Sequence, residues 1–410
     1  MLPPSPDLPA SAEPAPRGFS PLAITAATAV SAMGVGVAAM RAALHGRRGG
    51  LGEGAPGDGW TGSVAGLEAV ELPAELARYT CRNNRLAELA LRTDGFAEAV
   101  AALRDRLGAE RIAVVLGTST AGIAETEGAF TRRDGAGALP ADFDYAGTHD
   151  LYSLPRYVRT RLGLRGPALA ISTACTSGAR SFAEAAALIA AGVCDAAVVG
   201  GVDTLCRMTL RGFASLELLA HGPSRPCAAD RDGISIGEAA GFAILQRAED
   251  APEGTVLLLG AGSSSDGHHM SSPHPEGLGA VSAMRAALEA AGIGPGDVDY
   301  VNLHGTGTRA NDAMEDRAVF HLFGDRVPCS STKGWTGHTL GASGALEVVV
   351  AAICVADGLV PGCLGVEQVD PGFASDVAIA NRAVPVRRVL SNSFGFGGSN
   401  CALVIGHRDG

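Results

Sequence analysis

The chain has 410 residues, 47% of them hydrophobic and 18% charged, with a formal net charge of −11. This length and apolar content suit two or three packed domains, and an acidic balance without a basic stripe excludes a nucleic-acid-binding surface. Nine cysteines are scattered without CxxC pairs or zinc-finger spacing, so they read as reduced thiols of a cytoplasmic protein.

Residues 1–18 contain six prolines and are expected to form a disordered tail, without the basic-then-apolar order of a secretion signal. Pro21–Thr28 is an apolar run fit for a buried strand, helical spacing follows over Ala38–Leu44, and a glycine-rich loop runs to Gly66. Leu86–Leu107 reads as one long helix or two abutting ones. Arg111–Gly117 is short, β-branched and apolar, and Ala168–Ser172 and Ala196–Val202 are further short runs, all predicting buried strands, with an alanine-rich helix at Ser177–Ala191. Phe242–Gln246 and Thr255–Gly260 read as two further strands, paired with each other. Beyond them, helices are expected at Gly279–Ala291, Asp312–Phe323 and Ser343–Asp357. Strands are expected at Tyr300–Leu303, Val377–Ile379 and Cys401–Ile405. Strand and helix alternate, which predicts α/β layers on mostly parallel sheets. The longest apolar stretches, such as Ala345–Ala356, read as too short to cross a bilayer.

Four segments carry chemistry. In Ser172-Thr173-Ala174-Cys175-Thr176-Ser177-Gly178 a cysteine sits between an apolar strand and a helix N-terminus, whose free N–H groups and dipole favour a thiolate nucleophile. The other eight cysteines lack that setting and read as packing residues. His304-Gly305-Thr306-Gly307-Thr308, with Asn311, Asp312 and Glu315 behind it, puts an imidazole in a glycine-rich loop at a strand end. In Ser331-Thr332-Lys333-Gly334-Trp335-Thr336-Gly337-His338 a lysine precedes a second histidine. Its charge would keep neighbouring imidazoles neutral, able to donate one N–H to a developing oxyanion. Asn392-Ser393-Phe394-Gly395-Phe396-Gly397-Gly398-Ser399-Asn400 offers backbone N–H groups and two phenylalanines for a pocket mouth. Each segment alone has a commoner structural explanation. Two decoys fall away: Gly34-Val35-Gly36 lacks the third glycine of a dinucleotide loop, and His268, His269 and His274 lack the helical presentation of a zinc site.

Together and in this order, the four segments resemble the elongating β-ketoacyl-acyl carrier protein synthases of the Cys-His-His type, over roughly Pro21 to Ile405. The resemblance implies a thiolase-like α/β fold with a duplicated, layered α-β-α-β-α architecture. It implies an N-terminal half at 19–260 carrying the nucleophile and a C-terminal half at 261–410 carrying both histidines. It assigns Cys175 as the acylated nucleophile, His304 and His338 as the histidines that promote malonyl decarboxylation, and Lys333 as their electrostatic support. Asp312 and Glu315 would organise the site. Thr306 and Thr308 would touch the phosphopantetheine arm. The N–H groups of Cys175 and Phe396 would form the oxyanion hole, and Phe394 and Phe396 the gating loop. Phe213 belongs to a matching central segment, and His269 and Ser271 to a matching loop before the first histidine.

The resemblance further implies decarboxylative Claisen condensation, with no metal and no organic cofactor beyond the carrier's phosphopantetheine. It implies an acyl carrier protein as partner and a homodimer, or a heterodimer with a homologous ketosynthase or chain-length factor. Nothing points to nucleic acid or membrane, and cytoplasmic localisation is expected. Arg82, Arg85, Arg132 and Arg133 are candidate carrier contacts. There are departures from the family pattern. Cys227 and Ala228 replace a Phe-Asp pair and Ile234 replaces an aromatic, which would reshape the pocket near the malonyl site. Ser271 stands where threonine is common. Arg82-Asn83-Asn84-Arg85 and Asn311-Asp312 look more like specialised synthases, such as those of aryl polyenes. Initiating synthases (Cys-His-Asn), thiolases (a second Cys) and chain-length factors (no nucleophile) fit less well. A modular polyketide synthase is not expected, with no acyltransferase or carrier segment alongside.

Overall fold

A computed structural model describes residues 19–408 except Pro56; the expected proline-rich tail lies outside the described residues. The main sheet has eleven strands. Ten form its path: β1 (Leu22–Ser31), β2 (Ile112–Gly117), β3 (Ala168–Ile171), β4 (Ala196–Asp203), β5 (Ala239–Arg247), β6 (Leu257–Ser265), β7 (Tyr300–Asn302), β8 (Cys329–Ser330), β9 (Arg388–Gly395) and β10 (Ser399–Gly406), while the short strand Gly34–Val35 pairs with β1 off that path. Their spatial order is β8-β7-β9-β10-β6-β1-β5-β4-β2-β3. Adding five to each number of β3-β2-β4-β5-β1 gives β8-β7-β9-β10-β6, so the two halves share one topology. Each half has two parallel junctions followed by two antiparallel ones. The halves meet through β1 and β6, antiparallel over only two residue pairs, Leu22 with Leu258 and Ala23 with Leu257.

The helices used below are α1 (Val37–Gly46), α2 (Arg82–Leu91), α3 (Phe96–Leu107), α4 (Ile123–Thr131), α5 (Ser153–Arg161), α6 (Ser177–Ala190), α7 (Arg207–Ser215), α8 (Leu278–Ala291), α9 (Arg309–Phe323), α10 (Lys333–Thr336) and α11 (Ser343–Asp357). Three apolar clusters show the layers. Helices α2, α3 and α5 cover the outer face of the first half's strands, and α8 and α9 that of the second half's. Between the inner faces lie α6 and α11, packed on strands of both halves. This is five layers, α-β-α-β-α. Strands such as β2 are covered on both faces, hence their unbroken apolar runs. The α6–α11 crossing depends on small residues. A Cβ on Gly344 would stand 2.6 Å from the Cβ and the backbone nitrogen of Ala179, and one on Gly178 would stand 2.7 Å from the Gly341 carbonyl.

Several expectations need correction. Phe242–Gln246 and Thr255–Gly260 fall in β5 and β6, which do not pair, because β1 lies between them. Val377–Ile379 is not a strand; Val377 makes one isolated bridge to Cys329. The sheet is mixed rather than mostly parallel. Leu86–Leu107 takes the second of its two expected forms, the helices α2 and α3, whereas β8, β9, α4, α5, α7 and α10 were not read from the sequence. Strand β6 spans the expected boundary at 260/261. The turn Leu340–Ala342 runs on into α11, giving 18 helical residues of mean hydropathy 1.8, long and apolar enough to cross a membrane, although 83% of that stretch is buried inside the protein. A helix that is apolar on all sides is what a central layer between two sheets demands.

Candidate active site

The site forms where the two halves meet. Cys175 follows β3 and stands two residues before α6, while His338 follows β8 and approaches α11. The two residues therefore occupy corresponding points of the repeated topology. Both turns hold a non-glycine residue in the left-handed region, Ala174 (φ 52°) beside Cys175 and Leu340 (φ 53°) beyond His338. Such conformations cost of order 1–3 kcal/mol and aim side chains out of the regular path. His304 follows β7, and the Phe394–Ser399 turn joins β9 to β10.

These connections bring three chemical groups together. The Cys175 sulfur lies 3.0 Å from His338 Nε2. The two imidazoles meet edge to face, with centroids 5.2 Å apart, and Phe394 packs 5.9 Å from His304. All three residues are buried. The sulfur and one nitrogen of each ring lie within 4.8 Å of one another, close enough for one soft cation to bridge them. They open on a cavity of about 370 Å³ that also exposes Ser271, Thr306, Thr308 and Asn311. A second cavity, about 460 Å³, reaches the sulfur from the Ala174, Gly212 and Leu340 side. Phe213 and Phe396, 5.6 Å apart, line both.

Electrostatics set the resting state. Burial, the Lys333 charge and, for His304, the neighbouring His338 hold the imidazoles well below their usual pKa, so both rings are neutral at pH 7. Burial pushes the Cys175 thiol up to about 11. Lys333 and the backbone N–H groups of Phe396 and Cys175 pull it down without prevailing. The pull toward a thiolate expected from the helix N-terminus is thus opposed by desolvation. Lys333 is itself buried and ion-paired with buried Glu347.

The supporting residues hold backbone rather than substrate. Glu315 accepts the N–H of His304 and of Gly305, each at 2.7 Å, and an Asn392 amide N–H at 3.1 Å; burial lifts its carboxyl to about 7. Asp312 accepts from Cys227 N–H (2.9 Å) and Gly307 N–H (3.2 Å) and faces the Arg231 guanidinium at 3.5 Å. Thr306 and Thr308 hydroxyls lie 3.0 Å apart. Ile234 lines the cavity, but Cys227 does not; it packs in the second half's core, where its N–H meets Asp312. Ser271 lines the cavity, whereas His269 is exposed outside it, its Nδ1 accepting the Ser271 N–H. Two of the docking candidates are committed internally: Arg82 to Glu238 and Glu68, and Arg85 to the carbonyls of Glu68 and Val70. Arg132 is exposed and pairs with Asp142, and Arg133 lies over Phe130.

Sequence reading missed Asp203. It is fully buried and accepts from Ser119 and Thr120 N–H, from the hydroxyls of Thr118, Ser119 and Thr120, and from Gly341 N–H, tying the β2 exit to the turn beyond His338. Asp266, which the sequence reading placed in the loop before the first histidine without giving it a role, receives Asn400 Nδ2–H at 2.7 Å. No motif announces Asp203, since it acts on chain remote in sequence.

Comparison with known proteins agrees with this geometry. Residues 84–251 match the family described as Beta-ketoacyl synthase, N-terminal domain, and residues 256–367 match Beta-ketoacyl synthase, C-terminal domain. The chain belongs to the β-ketoacyl synthase family, and its fold is thiolase-like. It is 39% identical over 266 residues to 3-oxoacyl-[acyl-carrier-protein] synthase 2 of Rhizobium meliloti (strain 1021), covering 60% of this chain and 62% of that protein. The enzyme of the same name from Coxiella burnetii is 38% identical over 263 residues, 60% of this chain and 64% of that protein. The chain thus spans less than two thirds of the length of these curated relatives. Among solved structures, a chain of the complex of a ketosynthase with its chain length factor from Xenorhabdus doucetiae aligns with a TM-score of 0.86 at 38% identity, over 95% of this chain and 98% of that one. A β-ketoacyl synthase from Burkholderia phymatum STM815 aligns with a TM-score of 0.85 at 28% identity, over 95% and 99%.

Proposed function

We propose that the protein is an elongating β-ketoacyl-acyl carrier protein synthase. The observation that carries the reading is the Cys175 sulfur at 3.0 Å from His338, beside a second neutral imidazole, where two cavities meet. In the first half-reaction the sulfur attacks an acyl thioester, the Cys175–acyl bond forms, and the carrier leaves as a free thiol carrying the proton. The N–H groups of Cys175 and Phe396 hold the oxyanion. In the second, malonyl-carrier enters past Thr306 and Thr308, and its carboxylate leaves as carbon dioxide. The electron pair stays on the thioester enolate, stabilised by N–H donation from His304 and His338. The enolate carbon then attacks the acyl carbonyl, the bond to sulfur breaks, and Cys175 is reprotonated. Decarboxylation supplies the electron pair, so the cycle calls for no redox group and no metal. A nucleophilic thiol that must stay reduced fits a cytoplasmic setting.

A heterodimer with a chain-length factor is the second reading, favoured by the alignment with the Xenorhabdus complex and by the unpaired edge strand β3, where Leu169 is exposed. A homodimer is the alternative assembly. Intact-mass measurement tests the function: wild type incubated with acyl-carrier proteins gains an acyl adduct that Cys175→Ala does not, and malonyl-carrier chases it into a product two carbons longer. No adduct from any donor, with the purified partner absent and present, would sink the proposal.

A further inference from the structure

His338 is held on its far side by two groups, one of them backed by a third, that the condensation itself does not consume. Leu340 N–H points at His338 Nδ1 from 3.3 Å. A backbone N–H can only donate, so it favours a lone pair on Nδ1, which in a neutral ring places the proton on Nε2. The Ser343 hydroxyl lies 3.0 Å from the same Nδ1 and, facing a lone pair, also donates. Its oxygen is left free to accept, and the Thr339 hydroxyl is 3.2 Å away. All three side chains are buried, so water does not compete for these bonds. The direction of the chain is therefore fixed from Thr339 to Ser343 to His338 Nδ1, and on from Nε2–H to the Cys175 sulfur.

We propose that Ser343 is a positioning residue that, with the Leu340 N–H, fixes His338 as the Nε2–H tautomer, so the ring presents a proton rather than a lone pair to the reacting centre. That proton meets the sulfur as its negative charge develops and, on the condensing-enzyme reading above, the malonyl thioester oxygen afterwards. The opposite tautomer would turn a lone pair toward an enolate oxygen and repel it.

The test compares the full-length wild type with Ser343→Ala, Ser343→Thr and Thr339→Val, each labelled with ¹⁵N-histidine, using His338→Gln to identify the His338 signals. Wild type is expected to show N–H character on Nε2 and lone-pair character on Nδ1. Ser343→Ala should shift both signals toward a mixture of tautomers. It should also slow carboxamidomethylation of Cys175 by iodoacetamide at pH 8, followed by intact mass, about five-fold, the equilibrium equivalent of one ordinary hydrogen bond. The malonyl decarboxylation kcat should fall by a similar factor at unchanged KM. Ser343→Thr restores all three, and Thr339→Val, which leaves the Ser343 hydroxyl in place, moves them the same way by less. A wild-type proton on Nδ1 overturns the proposal, as does a Ser343→Ala protein whose tautomer and alkylation rate are unchanged. A tautomer shift in an enzyme that never turns over malonyl-carrier supports the role of Ser343 and removes the condensing function instead.

Discussion

Replacing Lys333 by methionine separates two roles that its position combines. Lys333 is buried and its ammonium meets Glu347, one of whose oxygens has no other hydrogen-bond partner. Removing one member of such a pair leaves a buried charge uncompensated and costs about 3–5 kcal/mol. With an unfolding entropy of about 2.1 cal/mol/K per residue, a 410-residue chain loses roughly 4–6 °C of Tm for that cost. Lys333→Met/Glu347→Leu removes both charges and should recover most of the loss. The second role is electrostatic. Burial is the larger cause of the low imidazole pKa values and Lys333 the next, so the single and the double variant should both raise them. The acid limb of the decarboxylation pH profile then moves to higher pH. The same depression means that wild-type stability falls as pH drops below the unfolded histidine value of about 6.5, because the native rings resist the proton that the unfolded chain accepts. Thermal denaturation and pH–rate profiles of the three proteins are the assays. An unchanged Tm in the single variant, or an acid limb that stays in place, would refute the reasoning.

Glu315→Gln sets an amide NH₂ against one of the two N–H groups that the carboxylate accepts, freeing His304; turnover should drop about 100-fold while alkylation of Cys175 proceeds at the wild-type rate. Because the Glu315 pKa is raised to about 7 from an unfolded value near 4.5, its own contribution to stability should decline as pH climbs from 4.5 through 7, opposing the contribution of the two histidines. The Gln variant should lack that decline, as Tm measured from pH 5 to 8 will show. Gly344→Ala forces a methyl into Ala179 at the α6–α11 crossing and should cost about 1–3 kcal/mol in denaturant titration. Arg82→Ala strands the fully buried Glu238 carboxylate and should lower Tm, while leaving the KM for carrier-bound substrate unchanged; a raised KM at unchanged Tm would restore Arg82 as a docking residue.

What the sequence disclosed and withheld follows from how far each signal reaches. Cys175, His304, Lys333 and His338 were legible because each sits in a short local motif, and four motifs in one order multiply their specificity. The buried strands and α11 were legible because strands covered on both faces and a helix between two sheets leave unbroken apolar runs. Pairing was not, since nothing local says that β1 inserts between β5 and β6. Asp203 was not, because its acceptors serve chain more than 80 residues before it and 138 residues after it. Only one side of the thiol's electrostatics was legible, for a related reason: the helix N-terminus is visible in sequence, whereas the desolvation that opposes it is made by the whole fold.

The repeated strand order gives Cys175 and His338 matching places in the two halves. Each stands where the third strand of its half hands over to the central helix. A half-length ancestor that paired with its twin would have offered the same residue twice at that seam. A thiol facing a thiol, or an imidazole facing an imidazole, has no division of labour. With two unlike halves in one chain, one position carries the thiol and the other the imidazole beside it. The price is that neither half retains an active centre of its own, so activity here belongs to the seam.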